Sequence, residues 1–332
     1  MRSKLASLTL VIVFSLLTSA HAEVHSYQAP LVKESLLLDI VKSGDSLIAV
    51  GERGHILLSD DGVKWQQIET PSLATLTAAY FVGAHGWVVG HDASILKSAD
   101  GGRSWQLQYF DPQLERPFLD VIFFDEQHGI AIGAYGAFYR TTDAGLNWKS
   151  ELHPEFLSPD DQAYLQDVKL EDEGFYLQEL SSILPHLNSV SSKAGRLYLA
   201  GEAGLLATSD DQGYSWKRME IDYFGSFFDL TETLSGRIFA AGLRGNLFEY
   251  LQTEQQWQRL ETGSKSSLNG VISIDEENSM VVGNNGAMLS ISPNSIEFNQ
   301  AADGKAIIGG LMYKKQLILV TGAGIKNITK EP

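Results

Sequence analysis

"LYLAGEAGLLATSDDQGYSW", Leu197 to Trp216, carries the architecture of the chain in one unit. An apolar run ends at Gly201, a tight turn follows, a second apolar run ends at Ser209, and a frame of Ser209, Asp211, Gly213 and Trp216 closes it. The frame returns as "SADGGRSW" (Ser98 to Trp105) and "TTDAGLNW" (Thr141 to Trp148), and one residue shorter as "SDDGVKW" (Ser59 to Trp65). The first glycines of the turns upstream are Gly51, Gly90, Gly133, Gly201, Gly242, Gly283 and Gly322, with successive spacings of 39, 43, 68, 41, 41 and 39. An aromatic residue follows six of these turns at 14 or 15 residues: Trp65, Trp105, Trp148, Trp216, Trp257 and Phe298. The chain therefore holds seven units of about 40 residues, with one insertion over about 151–185 between the third and fourth.

Inside a unit, short runs rich in Val, Ile, Leu, Tyr and Phe are punctuated by Gly, Asp and Ser, which predicts four strands joined by hairpins. "FLDVIFF", "GIAIGAY", "GAFYRTT" and "LNWKSEL" are the four runs of the third unit. Four strands per repeat of this length predict an all-β, seven-bladed β-propeller with four-stranded antiparallel blades. The last unit offers three strands, around Ala306 to Met312, Gln316 to Thr321 and Gly324 to Ile328. The stretch "EVHSYQAPLV", residues 23–32, is expected to supply the missing outer strand of blade seven and lock the ring, hiding a sheet edge.

The repeated frame resembles the Asp-box of BNR-repeat propellers, placed on the turn between the third and fourth strands. There Asp can accept hydrogen bonds from N–H groups that the reversal leaves unpaired, Gly allows a positive φ, and Trp packs between blades. "YLQTEQQW" and "SISPNSIEF" in units five and six lack the Asp but keep the aromatic, as expected where packing is the stricter need. The signature "FLDVIFFDEQHGIAIGAYGAFYRTTDAGLNW", Phe118 to Trp148, is similar to the seven-bladed photosystem II stability and assembly factor family. That resemblance covers essentially the whole chain after its leader. It implies a non-catalytic exported accessory protein that helps assemble a membrane complex and docks through an arginine-bearing surface, for which Arg53, Arg140 and Arg244 are the matching candidates.

Residues 1–22 predict a cleavable signal peptide: Arg2 and Lys4, an apolar run from Leu8 to Leu17, and the small-residue site Ala20-His21-Ala22. The expected location is periplasmic or secreted, and no run reaches the roughly 18 apolar residues of a membrane helix. Cysteine is absent, so stability rests on packing. Loss of Arg2 and Lys4 takes the net charge from −16 to −18, which argues against nucleic acid and anionic lipid as partners.

The turns between second and third strands share a face with the links between blades, and they carry Glu52, Arg53, His91, Asp92, Tyr135, Glu202, Arg244, Asn284 and Asn285. This mixed ring suits a peptide or polar ligand, or is an ordinary solvated rim. The inner strands repeat Asp39, Asp120, Asn188, Asp229 and Asn269, with Thr77 and Gly309 in the other two units. Bonding to a neighbouring blade's backbone is the expected role, over cation binding, because a carboxylate taken from water must be paired. Histidines show no HExxH or HxH spacing, so no zinc site and no cofactor is expected.

The insertion has nine acids against one lysine. Ser158-Pro159-Asp160-Asp161 predicts a helix start, with Tyr164, Leu165 and Val168 on one face. A second helix from about Gly174 to Leu184 would set Phe175, Tyr176, Leu180, Ile183 and Leu184 on its apolar side. The segment belongs on the face of the polar turns, as a lid, a docking arm or a packed loop. The functional expectation is a monomeric, non-catalytic accessory factor binding a protein of a membrane-associated complex. The enzymatic rival, a glycan-binding or sialidase-like hydrolase, needs an arginine cluster, a Tyr–Glu nucleophile pair and an Asp acid.

Overall fold

The computed structural model describes residues 25–329; the expected signal peptide, residues 1–22, lies outside the described residues. Seven antiparallel sheets are present, six of four strands and one of three, each running in simple up-and-down order. The first strands of the seven sheets touch one another in sequence, and that of blade seven, Ile307–Tyr313, returns to that of blade one, Leu37–Ser43. The ring is closed.

The apolar runs become strands because both faces of each sheet are covered by neighbouring blades. The second strand of blade one, Ser46–Gly51, is buried at every position. Seven hydrophobic clusters result, one in each joint between blades. Buried aromatic residues thicken some joints: Trp87 of blade two stacks on Phe123 of blade three with centroids 3.5 Å apart.

The first strand of every blade carries a register shift two residues after its start, at Leu37/Asp39 in blade one and Ile307/Gly309 in blade seven. Polar side chains next to these bulges latch each blade to the next. Asp39 Oδ2 accepts from Ala79 N–H (2.8 Å), Asp120 Oδ2 from Val190 N–H (2.7 Å), and Asp229 Oδ2 from Val271 N–H (2.7 Å). In the intervening blades the polarity reverses: Thr77 Oγ1 donates to Phe118 O (2.8 Å), Asn188 Nδ2 to Phe227 O (2.7 Å), and Asn269 Nδ2 to Ile307 O (2.8 Å). Acceptors and donors thus alternate around the channel until Gly309, which has no side chain to offer.

The expected N-terminal strand of blade seven is not formed among the described residues: its sheet is Ile307–Tyr313, Gln316–Thr321 and Gly324–Thr329 only. Residues 25–29 run along blade one instead. Ser26 N–H donates to Thr70 O (2.8 Å), and Gln67 clasps the chain from both sides, accepting from Ala29 N–H and donating to Tyr27 O (2.8 Å each). A short turn, Val32–Glu34, then buries Val32 in the cluster between blades seven and one. Ser26 and the backbone of Tyr27 and Ala29 are thus committed to Thr70 and Gln67 of blade one, away from the blade-seven edge, and the seam is sealed by packing. Tyr313 adds a second tie, its hydroxyl donating to Asp60 O (3.0 Å) and also to Asp45 O.

Candidate functional site

The four Asp-boxes are structural caps. Asp100 Oδ1 accepts from Arg103 N–H and Ser104 N–H (2.9 Å each) and Oδ2 from Ser104 Oγ (2.6 Å). Partial burial pushes this carboxyl up, but the hydrogen bonds from Ser104, Ser98 and Arg103 outweigh it and hold it at about 2. Asp211, built alike, also stands at about 2. All four box carboxylates are consumed by their own turns.

On the opposite face, the tight turns of blades one to six place a non-glycine residue in the left-handed region: Arg53 (φ 56°), Asp92 (56°, followed by Ala93 at 46°), Tyr135 (54°), Ala203 (52°), Arg244 (58°) and Asn285 (56°). For a residue with a β-carbon this costs on the order of 1 kcal/mol relative to glycine. Bulky side chains are nevertheless held there at the tips. The glycine after them is compelled by contact: a β-carbon at Gly54 would collide with Ser72 O of the next link, and one at Gly136 with the Leu184 side chain.

The residues of this face divide by role. Glu52 accepts from Leu36 N–H (3.3 Å) and Glu202 from His186 N–H (3.4 Å), each bracing the entry to its own blade's first strand. Asn284 Oδ1 accepts from Asn269 Nδ2 (3.0 Å), and Asn285 Nδ2 donates to Ser266 Oγ (3.1 Å). His91 and Asp92 project into solvent from blade two. Arg53 reaches Tyr27 Oη (2.8 Å), while exposed Arg244 lies within electrostatic reach of Tyr223.

Blades three to five concentrate the aromatic surface. Tyr135, 52% exposed, meets His186 edge-on at 4.4 Å, and His186 Nδ1 sits 3.6 Å from Glu202. The link behind Gly204 presents Phe224 at 84% exposure, and Tyr223 Oη receives Asn246 Nδ2 (3.2 Å) beside Arg244. A strip of Tyr135, His186, Glu202, Phe224, Tyr223 and Arg244 follows. His186, Tyr223 and Phe224 were not legible in the repeat pattern because they lie in links, where units differ.

Arg140 does not belong to this face. It is 6% exposed, ion-paired to Glu151 (2.9 Å), and donates to Gln212 O (2.9 Å) and Gly213 O (2.8 Å) of the fourth blade's Asp-box, over the Tyr214 ring. Its guanidinium is used up in clamping blade three to blade four at the end remote from the polar turns.

The insertion forms two helices, α1 (Pro159–Glu171) and α2 (Glu173–Ile183). Ser158 caps the first through Asp161 N–H (3.2 Å) and Asp172 the second through Phe175 N–H (3.0 Å). Phe156, Leu157, Leu165, Leu180 and Leu184 enter the cluster between blades three and four, with Tyr176 and Ile183 packed against it. Tyr164 and Phe175 point outward instead, at 48% and 47% exposure. Gly136 N–H donates to Pro185 O (2.9 Å), which sets the hairpin on the face of the polar turns, and Arg116 Nη2 donates to Ser181 O (3.2 Å). Its root is an ionic chain, Arg140 to Glu151 to His153 (3.5 Å) to Glu155 (3.0 Å), with His153 buried against Phe138.

In the channel, burial drives the Asp39, Asp120 and Asp229 carboxyls up, to about 6, 8 and 6, against the backbone donors that lower them; repulsion from the other two adds to Asp120. These acids hold the backbone, and among the described residues no group of three or more His, Asp or Glu is arranged to hold a metal ion. The Tyr198–Glu232 pair lies in the joint between blades four and five, where burial and Glu232 raise the phenol away from a nucleophilic state.

The closed ring of seven up-and-down sheets with box turns defines the class, a BNR-type seven-bladed propeller. The family described as photosynthesis system II assembly factor YCF48 matches residues 20–184. The chain belongs to this photosystem II assembly factor-like propeller family. The photosystem II assembly lipoprotein Ycf48 of Synechococcus sp. (strain CC9902) is 22% identical over 281 residues, covering 74% of this chain and 82% of the relative. The Ycf48 of Synechococcus sp. (strain JA-2-3B'a(2-13)) is 24% identical over 200 residues, 59% of this chain and about half (53%) of that protein's length. Among solved structures, YCF48 bound to D1 peptide superposes with a TM-score of 0.68 at 17% identity, covering 92% of this chain and 96% of that one. YCF48 from Cyanidioschyzon merolae gives 0.66 at 18% identity, over 92% and 99%. At these identities the superpositions speak for the fold. No helix among the described residues is long and apolar enough to cross a membrane.

Proposed function

We propose that this protein is an exported, non-catalytic accessory factor that holds a segment of a membrane-complex subunit against the strip from Tyr135 to Arg244. The observation that carries the reading is the set of bulky left-handed residues, Arg53, Tyr135 and Arg244, retained at turn tips where glycine would be more stable. Strain kept at exposed positions, next to an aromatic as open as Phe224, is the signature of a binding surface. A relative whose structure is described as bound to D1 peptide supports a peptide segment as the ligand, and relatives named lipoproteins support export to the periplasm or beyond. The raised Tyr198 phenol weighs against the sialidase-like alternative, whose nucleophile must ionise.

Tyr135→Gly and Arg244→Gly supply the test. Each relieves strain, so thermal stability should hold or rise, while crosslinking from a photoreactive residue at position 224 to the partner subunit should drop at least about tenfold. Crosslinking that survives both substitutions would sink the assignment of this face.

A further inference from the structure

One residue per blade marks what fills each joint on the Asp-box face: Ile48, Trp87, Ile130, Tyr198, Phe239, Met280 and Ile318, each on the second strand of its blade. Where the following blade has a box, its glycine covers this residue. A β-carbon on Gly102 would come within 2.5 Å of Ile48, one on Gly145 within 3.2 Å of Trp87, one on Gly213 within 3.4 Å of Ile130, and one on Gly62 within 2.7 Å of Ile318. Phe239 is covered by another device, the Arg237 guanidinium 4.7 Å from its ring, itself fixed by Glu249 (2.7 Å). Two positions stay open. Tyr198 borders a polar cavity of 520 Å³, and Met280 borders a largely apolar one of 330 Å³ walled by Ile274, Met312, Leu317 and Ile328.

The Met280 cavity lies where blade seven, with three strands among the described residues, sends no box hairpin into its joint with blade six. In the same place the strand Gly324–Thr329 is paired to a strand on one side only, with the turn Val32–Glu34 against its Gly324 end. Cavity and edge adjoin, and the chain shows five times what fills such a joint: an outer strand with a tryptophan at or just before its start, Trp65, Trp105, Trp148, Trp216 or Trp257, turned inward. Charge does not set the sign of the occupant: Lys315 and Glu297 both line the cavity, Lys326 is paired with Asp303, and Lys314 donates to Asp60 O of blade one (3.2 Å).

We propose that the open joint between blades six and seven is a second binding site, which takes an extended segment of a partner protein that carries an aromatic anchor. The segment adds a fourth strand to blade seven and lodges an aromatic side chain against Met280. Main-chain pairing supplies affinity independent of sequence, and the pocket selects the anchor. Side chains of the incoming strand alternate between the faces turned to blade six and blade one, so the anchor and every second residue from it face the cavity. This goes beyond the function proposed above and uses the other face of the ring.

The probe is a synthetic peptide of the chain's own second-blade outer strand, Gly102–Tyr109, titrated into the full-length protein carrying labelled methionine methyls. Binding should shift Met280 and Met312 and leave Met219, which borders the polar cavity, in place. The peptide with Trp105→Ala should bind at least about tenfold more weakly, since a buried aromatic is worth a factor of ten or more. On the protein, Met280→Trp fills the cavity from within and Ile328→Asp places an acid at its partly exposed rim; each should weaken binding at least about tenfold with unchanged circular dichroism. The proposal is overturned if the peptide does not bind, if Met219 moves in place of Met280, if the Ala peptide binds as well as the Trp peptide, or if the folded Ile328→Asp protein binds normally.

Discussion

Two aspartates of this chain sit at opposite ends of the titration range for one reason each. Asp100 is flooded with donors from its own turn and stays ionised to about pH 2; Asp120 is stripped of water by burial in the channel, with Asp39 and Asp229 adding repulsion, and takes a proton near pH 8. An acid whose folded pKa lies above its unfolded value holds extra protons in the folded state, so stability falls as pH rises from about 4 through 8. Asp39 and Asp229, near 6, add to the slope over the lower part of that window. Thermal unfolding should therefore show a melting point that increases on acidification from pH 8 to pH 5. Asp120→Asn keeps an acceptor for Val190 N–H and removes the charge, so it should raise the melting point at pH 8 and flatten the slope. An unchanged slope in the variant would place the proton elsewhere. The box acids act in the other direction: their contribution is whole above about pH 4 and is lost as pH falls toward 2. That Asp39, Asp120 and Asp229 bond a neighbouring blade was legible in the sequence, because the residue recurs at one place in the unit. Arg140 was not: its partners, Gln212 and Gly213, lie in another blade, and the repeat period gives no hint that this arginine turns inward.

At the scale of elements, the insertion is both decoration and core. Ser158, Pro159 and the acids of the first turn announce α1, and the second helix begins within a residue of its expected start because Asp172 is a good cap. Which residues turn inward was harder to read. Tyr164 and Phe175 have the right periodicity but stand outside, since the hairpin's inner surface is set by the rim of blades three and four and by α1 against α2, more than by either helix's own pattern. Leu180→Ala should cost about 2–4 kcal/mol in a denaturant titration, because the site is sealed by Leu184 and Trp216 and cannot collapse freely. Leu170→Ala, at a residue 87% exposed, should cost less than about 0.5 kcal/mol. Equal losses would mean the hairpin does not share the core of the blades. For the same reason, excising the insertion would strip Phe156, Leu157, Leu165 and Leu180 from that joint, so point changes on its outer surface are the cleaner probe of docking.

For the whole molecule, repeat counting was sufficient for seven blades, and the clusters between them follow from two-sided apolar strands. Residues 23–32 have the length of a strand, but Ser26 pairs with Thr70 and the backbone of Tyr27 and Ala29 with Gln67, all on blade one. Val32 is then the main apolar residue that the N-terminal segment contributes to the seam. Val32→Asp should destabilise the protein by about 2–3 kcal/mol, through lost burial and an unpaired charge. Hydrogen exchange should quicken first in Leu37–Ser43 and Ile307–Tyr313, the two first strands that meet there. Uniform quickening around the ring would contradict a local seam.

The alternation of latches around the channel has a consequence of pure arithmetic. Acceptor and donor can take turns without a fault only in a ring with an even count, and this ring is odd. One misfit is therefore obligatory, and glycine at position 309 absorbs it by offering neither sign. The fault falls in the joint between the last blade and the first, so the run of channel-side latches is broken at that one seam, where Tyr313 and Val32 hold instead.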